Sequence, residues 1–379
     1  MIEEVGLLYK AEGDQGKWYS IGRGKEGIAM TKISGFIDAD GHVVESDAEL
    51  LQFLPGPFKG REDLLSFPFF PTLDGFHRQA RRVADGKGRY IAKGSLKEWQ
   101  DFLDEDQIAW SVLYPTAGLT FGLVRDKDWA CAVAAGYNNY LYETFTKPEK
   151  RLKGMALIPL QSIPDAVKEL KRAVSELGFI GAVLPAVGLR QPFGDERYFP
   201  VYETAQELGA LLAVHAAPTQ GIGVDAFDTL IEVRTLSNGF GQMIQMTSMI
   251  YNGVYDKFPK LKVAYAEAGC GWVPYLMERL DMEYEHRNTQ VPKCKKMPSE
   301  HLKSGQIFIH CELEERGISQ IAALLRDDIL FCATDFPHEP RSEFRENVER
   351  FMAREDVSSE TKQKLCFENP KRMYPLAVQ

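Results

Sequence analysis

Hydrophobic and polar positions in this chain alternate in blocks rather than residue by residue. From Lys97 onward, short apolar runs are each followed by a longer amphipathic segment, and the rhythm repeats towards the C-terminus. The runs Ile108–Leu113, Gly154–Leu160, Phe179–Leu184, Leu211–His215, Leu261–Ala266, Ile307–Cys311 and Ile329–Ala333 have the length and continuity of strands buried on both faces. An earlier run, Ile33 to Ile37, makes eight with them. The segments between read as helices: Trp129–Phe145, a helix capped by Ser162 with Pro164 in its first turn and a stop at Gly178, Tyr202–Leu208 ending at Gly209, Gly241–Val254, Trp272–Glu285, Ile318–Leu325 and Glu343–Met352. Eight strand-helix units predict an all-parallel sheet, and over this length a closed (β/α)8 TIM barrel rather than an open doubly wound sheet. Thr361 to Tyr374 is expected to pack as a closing helix through Leu365, Phe367 and Met373.

Two stretches break the rhythm. Residues 1–32 carry Gly13, Gly16, Gly22, Gly24 and Gly27 without periodicity and read as a polar leader, leaving 33–379 as one domain. Residues 43–105 hold Leu54-Pro55-Gly56-Pro57-Phe58 and Phe67-Pro68-Phe69-Phe70-Pro71, too rich in proline for a helix interior and too apolar for a solvated linker. An excursion of that kind after strand one is expected to form a lid or pocket wall. It contains Phe76, His77, Arg78 and Arg81.

In a barrel of this type, chemistry belongs at the carboxyl ends of the strands. There the chain places Asp40 and His42 after strand one, His215 after strand five, Glu267 after strand six, His310 and Glu312 after strand seven, and Asp335 and His338 after strand eight. Asp40 and His42 point to the same side of an extended chain, so the pair can share a divalent cation. For His310 and Glu312 structural bonding is the expectation.

Composition narrows the alternatives. Of 379 residues 44% are hydrophobic, enough to bury a large core, and the net charge is −9 with basic residues interleaved among acids, which argues against a nucleic-acid surface. No apolar run is long enough for a membrane span or a signal peptide, so a cytoplasmic protein is expected. Cys131, Cys270, Cys294, Cys311, Cys332 and Cys366 lie far apart with no C-x-x-C, as reduced core thiols do. No dinucleotide or triphosphate motif occurs. A small molecule or a second copy of the chain is the natural partner.

Several blocks in order, Ile37-Asp38-Ala39-Asp40-Gly41-His42, Leu212-Ala213-Val214-His215, Tyr251-Asn252-Gly253-Val254, Glu267-Ala268-Gly269-Cys270-Gly271-Trp272 and Thr334-Asp335-Phe336-Pro337-His338, resemble the amidohydrolase-related branch of the amidohydrolase superfamily. That branch includes aminocarboxymuconate-semialdehyde and resorcylate-type decarboxylases. The resemblance covers about residues 33–375 and implies a distorted (β/α)8 barrel with a divalent metal at its mouth and a homodimeric assembly. Its metal ligands fall on Asp40, His42, His215 and Asp335. Where many members open with H-x-H this chain has D-x-H, so manganese or iron competes with zinc. Strand six carries Glu267 where the decarboxylases have a histidine. Strand four, Phe179 to Leu184, has no lysine to bridge two ions, so one ion is expected.

The leading expectation is therefore a hydrolase of a small aromatic or carboxylated molecule, acting through metal-activated water. Asp335 or Glu267 would carry the proton, His338 and His77 would assist, and Phe76, Arg78, Arg81 and Arg190 would bind substrate. The alternatives are a metal-dependent decarboxylase of an aromatic or muconate-like acid, and a barrel that binds without turnover.

Overall fold

The structure is a computed structural model that describes residues 18–24, 27–33, 35–71, 93–217 and 221–378, with only the backbone path of 18–33. Two strands, β1 (Trp18–Gly24) and β2 (Gly27–Ile33), pair as an antiparallel hairpin inside the stretch read as a leader; its glycines hide the alternation. Then come β3 (Phe36–Val43), β4 (Ile108–Pro115), β5 (Leu152–Leu157), β6 (Gly181–Pro185), β7 (Leu211–His215), β8 (Val263–Ala266), β9 (Ile307–His310) and β10 (Leu330–Phe331). These eight form one sheet in chain order, every neighbouring pair parallel. With the surrounding helices they make a nearly closed (β/α)8 barrel. Every residue of β3, β6, β7, β8 and β9 is buried, because helices cover the outside and side chains fill the inside.

The seam lies between the first and last barrel strands. β10 is only two residues long, and beyond it the chain bends towards β3 instead of continuing as a ladder. Closure comes from individual backbone bonds: the His42 amide donates to the Phe336 carbonyl at 2.7 Å and the Asp335 amide to the Asp40 carbonyl at 3.1 Å. Aromatic packing backs this join. Phe102 stacks on Phe336 at 4.5 Å between ring centres, and Trp99 meets Phe336 edge-on at 4.8 Å. Both come from the helix Leu96–Glu105, whose start is fixed by a reciprocal cap between Ser95 and Glu98. The excursion 43–105 thus ends in the first crossover helix of the barrel.

Elsewhere in the excursion the aromatics pack on the neighbouring helices. Phe69 is buried edge-on against Trp129 at 5.0 Å, Phe70 against Phe121 at 6.3 Å, and Phe67 is exposed. His77, Phe76, Arg78 and Arg81 lie outside the described residues.

The largest difference from the sequence pattern is the helix after β7. It runs Leu230–Tyr251, starting eleven residues before the expected Gly241 and stopping short of Val254. Thr229 caps it by accepting from the Glu232 amide. Thr229-Leu230-Ile231-Glu232 is a capping-box sequence, but Gly239 and Gly241 just downstream weaken the helical pattern.

Candidate metal centre

β3 brings the first two side chains. Its register against β4 slips between Asp38 and Gly41, and such an irregularity re-aims the residues beyond it. Gly41 is required there, since a Cβ would collide with the Trp99 ring and lie 2.6 Å from Asp38 Oδ2 and 2.8 Å from Ser111 Oγ. Asp40 and His42 then face inward, both buried, with Asp40 Oδ1 3.6 Å from His42 Nε2. His215, the last residue of β7, presents Nε2 to Asp40 Oδ1 at 3.2 Å. Asp335 arrives across the seam, its Oδ1 3.4 Å from His42 Nε2.

Both imidazoles are held ready to coordinate. His42 Nδ1 bonds the Pro115 carbonyl at 2.9 Å and His215 Nδ1 the Ala216 carbonyl at 2.8 Å. A carbonyl can only accept, so each Nδ1 carries the hydrogen and each Nε2 turns its lone pair to the centre. His42 Nε2 is buried with no hydrogen-bond partner. Burial works against charge on His215, but Asp40 outweighs it and lifts the ring to about 9. Burial likewise opposes charge on Asp40, yet His215 and His42 hold its carboxyl at about 2. Burial, aided by His338, pushes His42 down to about 3. The field at this point calls for one positive charge at Nε2 of His215, which a cation supplies as well as a proton. Asp40, His42 and His215 have one ligand atom each within 4.8 Å of the others and fit one divalent ion, with Asp335 joined to the group through His42, and the oxygen donors suit manganese or iron as well as zinc.

Further titratable groups stand beside these side chains. His338 Nδ1 is 2.8 Å from Asp335 Oδ1, its Nε2 is 2.9 Å from Thr116 Oγ1, and its ring stacks on His42 at 4.1 Å between centres. Burial opposes charge on His338, but Asp335 raises its pKa. Glu267 Oε2 sits 3.5 Å from His215 Nδ1 without a hydrogen-bond partner. Burial first, and then Asp335, lift the Glu267 carboxyl to about 7. Glu267 and Asp335 both have left-handed backbones, φ 57° and 52°, a strained state for residues other than glycine. His310 helps hold that strain: its Nδ1 accepts from the Glu267 amide at 3.1 Å, and Glu312 Oε1 stands 3.7 Å off. The other ring nitrogen of His310, Nε2, is buried without a hydrogen-bond partner.

Beside Asp335 and Glu267 opens a cavity of about 150 Å³, a volume that accommodates a benzene ring in an engineered protein core. Among the described residues Arg234, on the helix after β7, is the only basic one lining it, beside Glu267, Glu312, Glu314, Asp335 and Glu339. Asn238, one turn further, donates to the Glu267 carbonyl at 2.9 Å. Arg234 and Asn238 escaped sequence reasoning because that helix was read as starting after them. Arg190, expected to bind substrate, is instead exposed on the loop after β6 and lines none of the cavities beside the centre.

A family model described as amidohydrolase matches residues 110–376, a span that includes His215, Glu267 and Asp335. Gamma-resorcylate decarboxylase of Polaromonas sp. is 30% identical over 235 residues, covering 57% of this chain and 69% of that protein. The 2-amino-3-carboxymuconate-6-semialdehyde decarboxylase of Dictyostelium discoideum is 24% identical over 237 residues, 62% of this chain and 64% of that one. Among solved structures, a dihydroxybenzoic acid decarboxylase from Polaromonas sp., with bound manganese and the inhibitor 2-nitroresorcinol, superposes with a TM-score of 0.66 at 21% identity, covering 90% of this chain and 97% of that chain.

Proposed function

The chain belongs to the amidohydrolase family, and from that premise we propose that it is a metal-dependent carboxy-lyase removing carbon dioxide from a small aromatic acid. It is an enzyme of the amidohydrolase superfamily; the choice of reaction is the step taken here. The sequence alone favoured hydrolysis; the similarity to gamma-resorcylate and aminocarboxymuconate-semialdehyde decarboxylases supports the alternative.

The observation that carries the reading is the ring-sized cavity lined by Asp335 and Glu267, with Arg234 its one cation among the described residues. We assign Asp40, His42, His215 and Asp335 to the metal. When bound, a divalent ion there would grip the carboxylate to be lost together with a neighbouring ring oxygen. Arg234 anchors another acidic substituent by a charge-assisted hydrogen bond. Glu267, with an unpartnered Oε2 and no histidine in its place on strand six, is the proton donor. Its proton forms the new C–H bond at the ring carbon that bears the carboxylate. The C–C bond then breaks, its electron pair returns to the ring, carbon dioxide leaves, and Glu267 regains a proton from water. His338 shares a proton with Asp335 and fixes that carboxylate's orientation.

Carbon dioxide release should be measured with manganese-loaded protein on a panel of ortho-hydroxybenzoates, beside ester and amide cleavage of the same acids. Decarboxylation of at least one free acid, with the esters and amides untouched, is expected. Ester or amide cleavage without carbon dioxide release would return the assignment to hydrolysis.

A further inference from the structure

A second group of metal-binding side chains lies on the opposite face of the barrel. Asp256 sits in the short helix Val254–Lys257 that leads into β8, and His301 in the helix Pro298–Leu302 that leads into β9. Cys294 lies on the segment between the helix Val273–Arg287 and His301. All three therefore stand at the amino ends of barrel strands. His301 Nε2 is 3.3 Å from Asp256 Oδ2 and 3.9 Å from Cys294 Sγ, and one ligand atom of each residue lies within 4.8 Å of the others. Cys294 and His301 are buried, and the Asp256 side chain is 12% exposed.

The geometry separates two uses of such a trio. In an acid–imidazole–thiol relay, the carboxylate and the thiol occupy opposite ring nitrogens, so that the ring can pass a proton between them. Here both approach the same nitrogen, Nε2, and Nδ1 has no partner. Three donors around one point match a coordination sphere. A tetrahedral zinc, with bonds of about 2.0–2.1 Å to nitrogen, about 2.3 Å to sulfur and about 2.0–2.2 Å to oxygen, sets the N···O separation near ~3.4 Å and N···S near ~3.6 Å. Both separations are within a few tenths of an ångström of those present.

The surroundings are preorganised for it. The Lys295 amide donates to Asp256 Oδ2 at 3.1 Å, and the Tyr284 hydroxyl donates to the Cys294 carbonyl at 3.0 Å. Gly253, at φ 70°, lets the segment carrying Cys294 close tightly, since a Cβ there would strike the Lys293 carbonyl. A carboxylate and a thiolate together cancel the charge of a divalent ion, which removes most of the cost of burying it. Cys294 Sγ now donates to the Lys296 carbonyl at 3.3 Å, and its proton leaves to solvent when the metal binds.

We propose that Asp256, Cys294 and His301 form a second, structural divalent-metal site of zinc type, completed by one water, which ties the approach to β8 to the approach to β9. The proposal does not depend on the reaction assigned to the mouth.

Cobalt(II) provides the test, because thiolate-to-cobalt charge transfer gives a near-ultraviolet band and the mouth centre offers only nitrogen and oxygen donors. Full-length protein stripped of metal and titrated with cobalt should develop that band and take up about two equivalents. Cys294→Ser and His301→Ala should each lose the band and about one equivalent, whereas Asp335→Asn should keep the band. Zinc should raise the melting temperature of Asp335→Asn and not that of Asp335→Asn/Cys294→Ser. Absence of the band from wild-type protein at saturating cobalt overturns the proposal without recourse to any variant, and so does a band that survives Cys294→Ser.

Discussion

The mouth of the barrel and its underside each gather carboxylate and imidazole around one point, but by different means. At the mouth these side chains come from β3, from β7 and from beyond β10, so that three remote parts of the chain must meet. On the underside they come from one stretch, Asp256 to His301. Each region has unmet polarity, His42 Nε2 and Glu267 Oε2 at the mouth and His301 Nδ1 below, but the mouth also carries strain, at left-handed Glu267 and Asp335. The underside trio has ordinary backbone, with no positive φ at any of the three. Stored backbone strain marks a place built to act on a ligand, whereas relaxed backbone with a thiol marks a fastening.

The largest effect separates the two regions outright. His215→Ala should lower kcat by at least about 10³-fold, the scale for losing one essential group, while the thiolate–cobalt band persists. Cys294→Ser should do the converse, losing the band with turnover retained at saturating manganese; a comparable loss of turnover in both variants would erase the distinction. Next, Arg234→Ala removes a charge-assisted bond of about 1.5–3 kcal/mol, so KM for a dicarboxylated substrate should rise about 10–100-fold at nearly constant kcat.

A pH measurement sharpens the electrostatic side of the contrast. Glu45 is buried near the mouth, accepting from the Thr116 and Gly118 amides at 3.0 and 2.7 Å, and burial lifts its carboxyl from 4.5 to about 6. The folded state therefore binds this proton more tightly than the unfolded state. Its stabilising contribution is complete below pH ~4.5 and is lost as pH rises through about 6, a change of about 2 kcal/mol. Denaturant unfolding of wild type and Glu45→Gln across that interval should differ in slope by this amount; parallel curves would show that the carboxyl titrates as it does in the unfolded chain. The smallest effect belongs to Asn238→Ala, which frees the Glu267 carbonyl at a net cost of about 1 kcal/mol and should lower kcat a few-fold with KM unchanged.

The two regions were also unequally legible in the sequence. Asp40, His42, His215 and Asp335 could be read because each follows a buried apolar run, and the barrel's geometry gathers strand ends by rule. Glu267 came with them for the same reason. Arg234 and Asn238 were hidden by Gly239 and Gly241, which mask a helix that its Thr229 cap nevertheless starts. Arg190 was misplaced because an arginine after a strand says nothing about which way the loop turns. The underside trio was invisible: its ligands sit on two short helices and a connecting segment, at spacings that match no cysteine motif. All six cysteines are free, as their spacing implied, yet one of them is not simply core filling.

The bonds that close the barrel are made by the residues that also surround its centre: His42 and Asp335 donate their amides across the join, and Asp40 supplies a carbonyl to it. Mechanical integrity and chemistry consequently share a single clasp. A lesion that frays the first or the last barrel strand should be registered first as lost turnover, well before the remaining staves of the cylinder come apart.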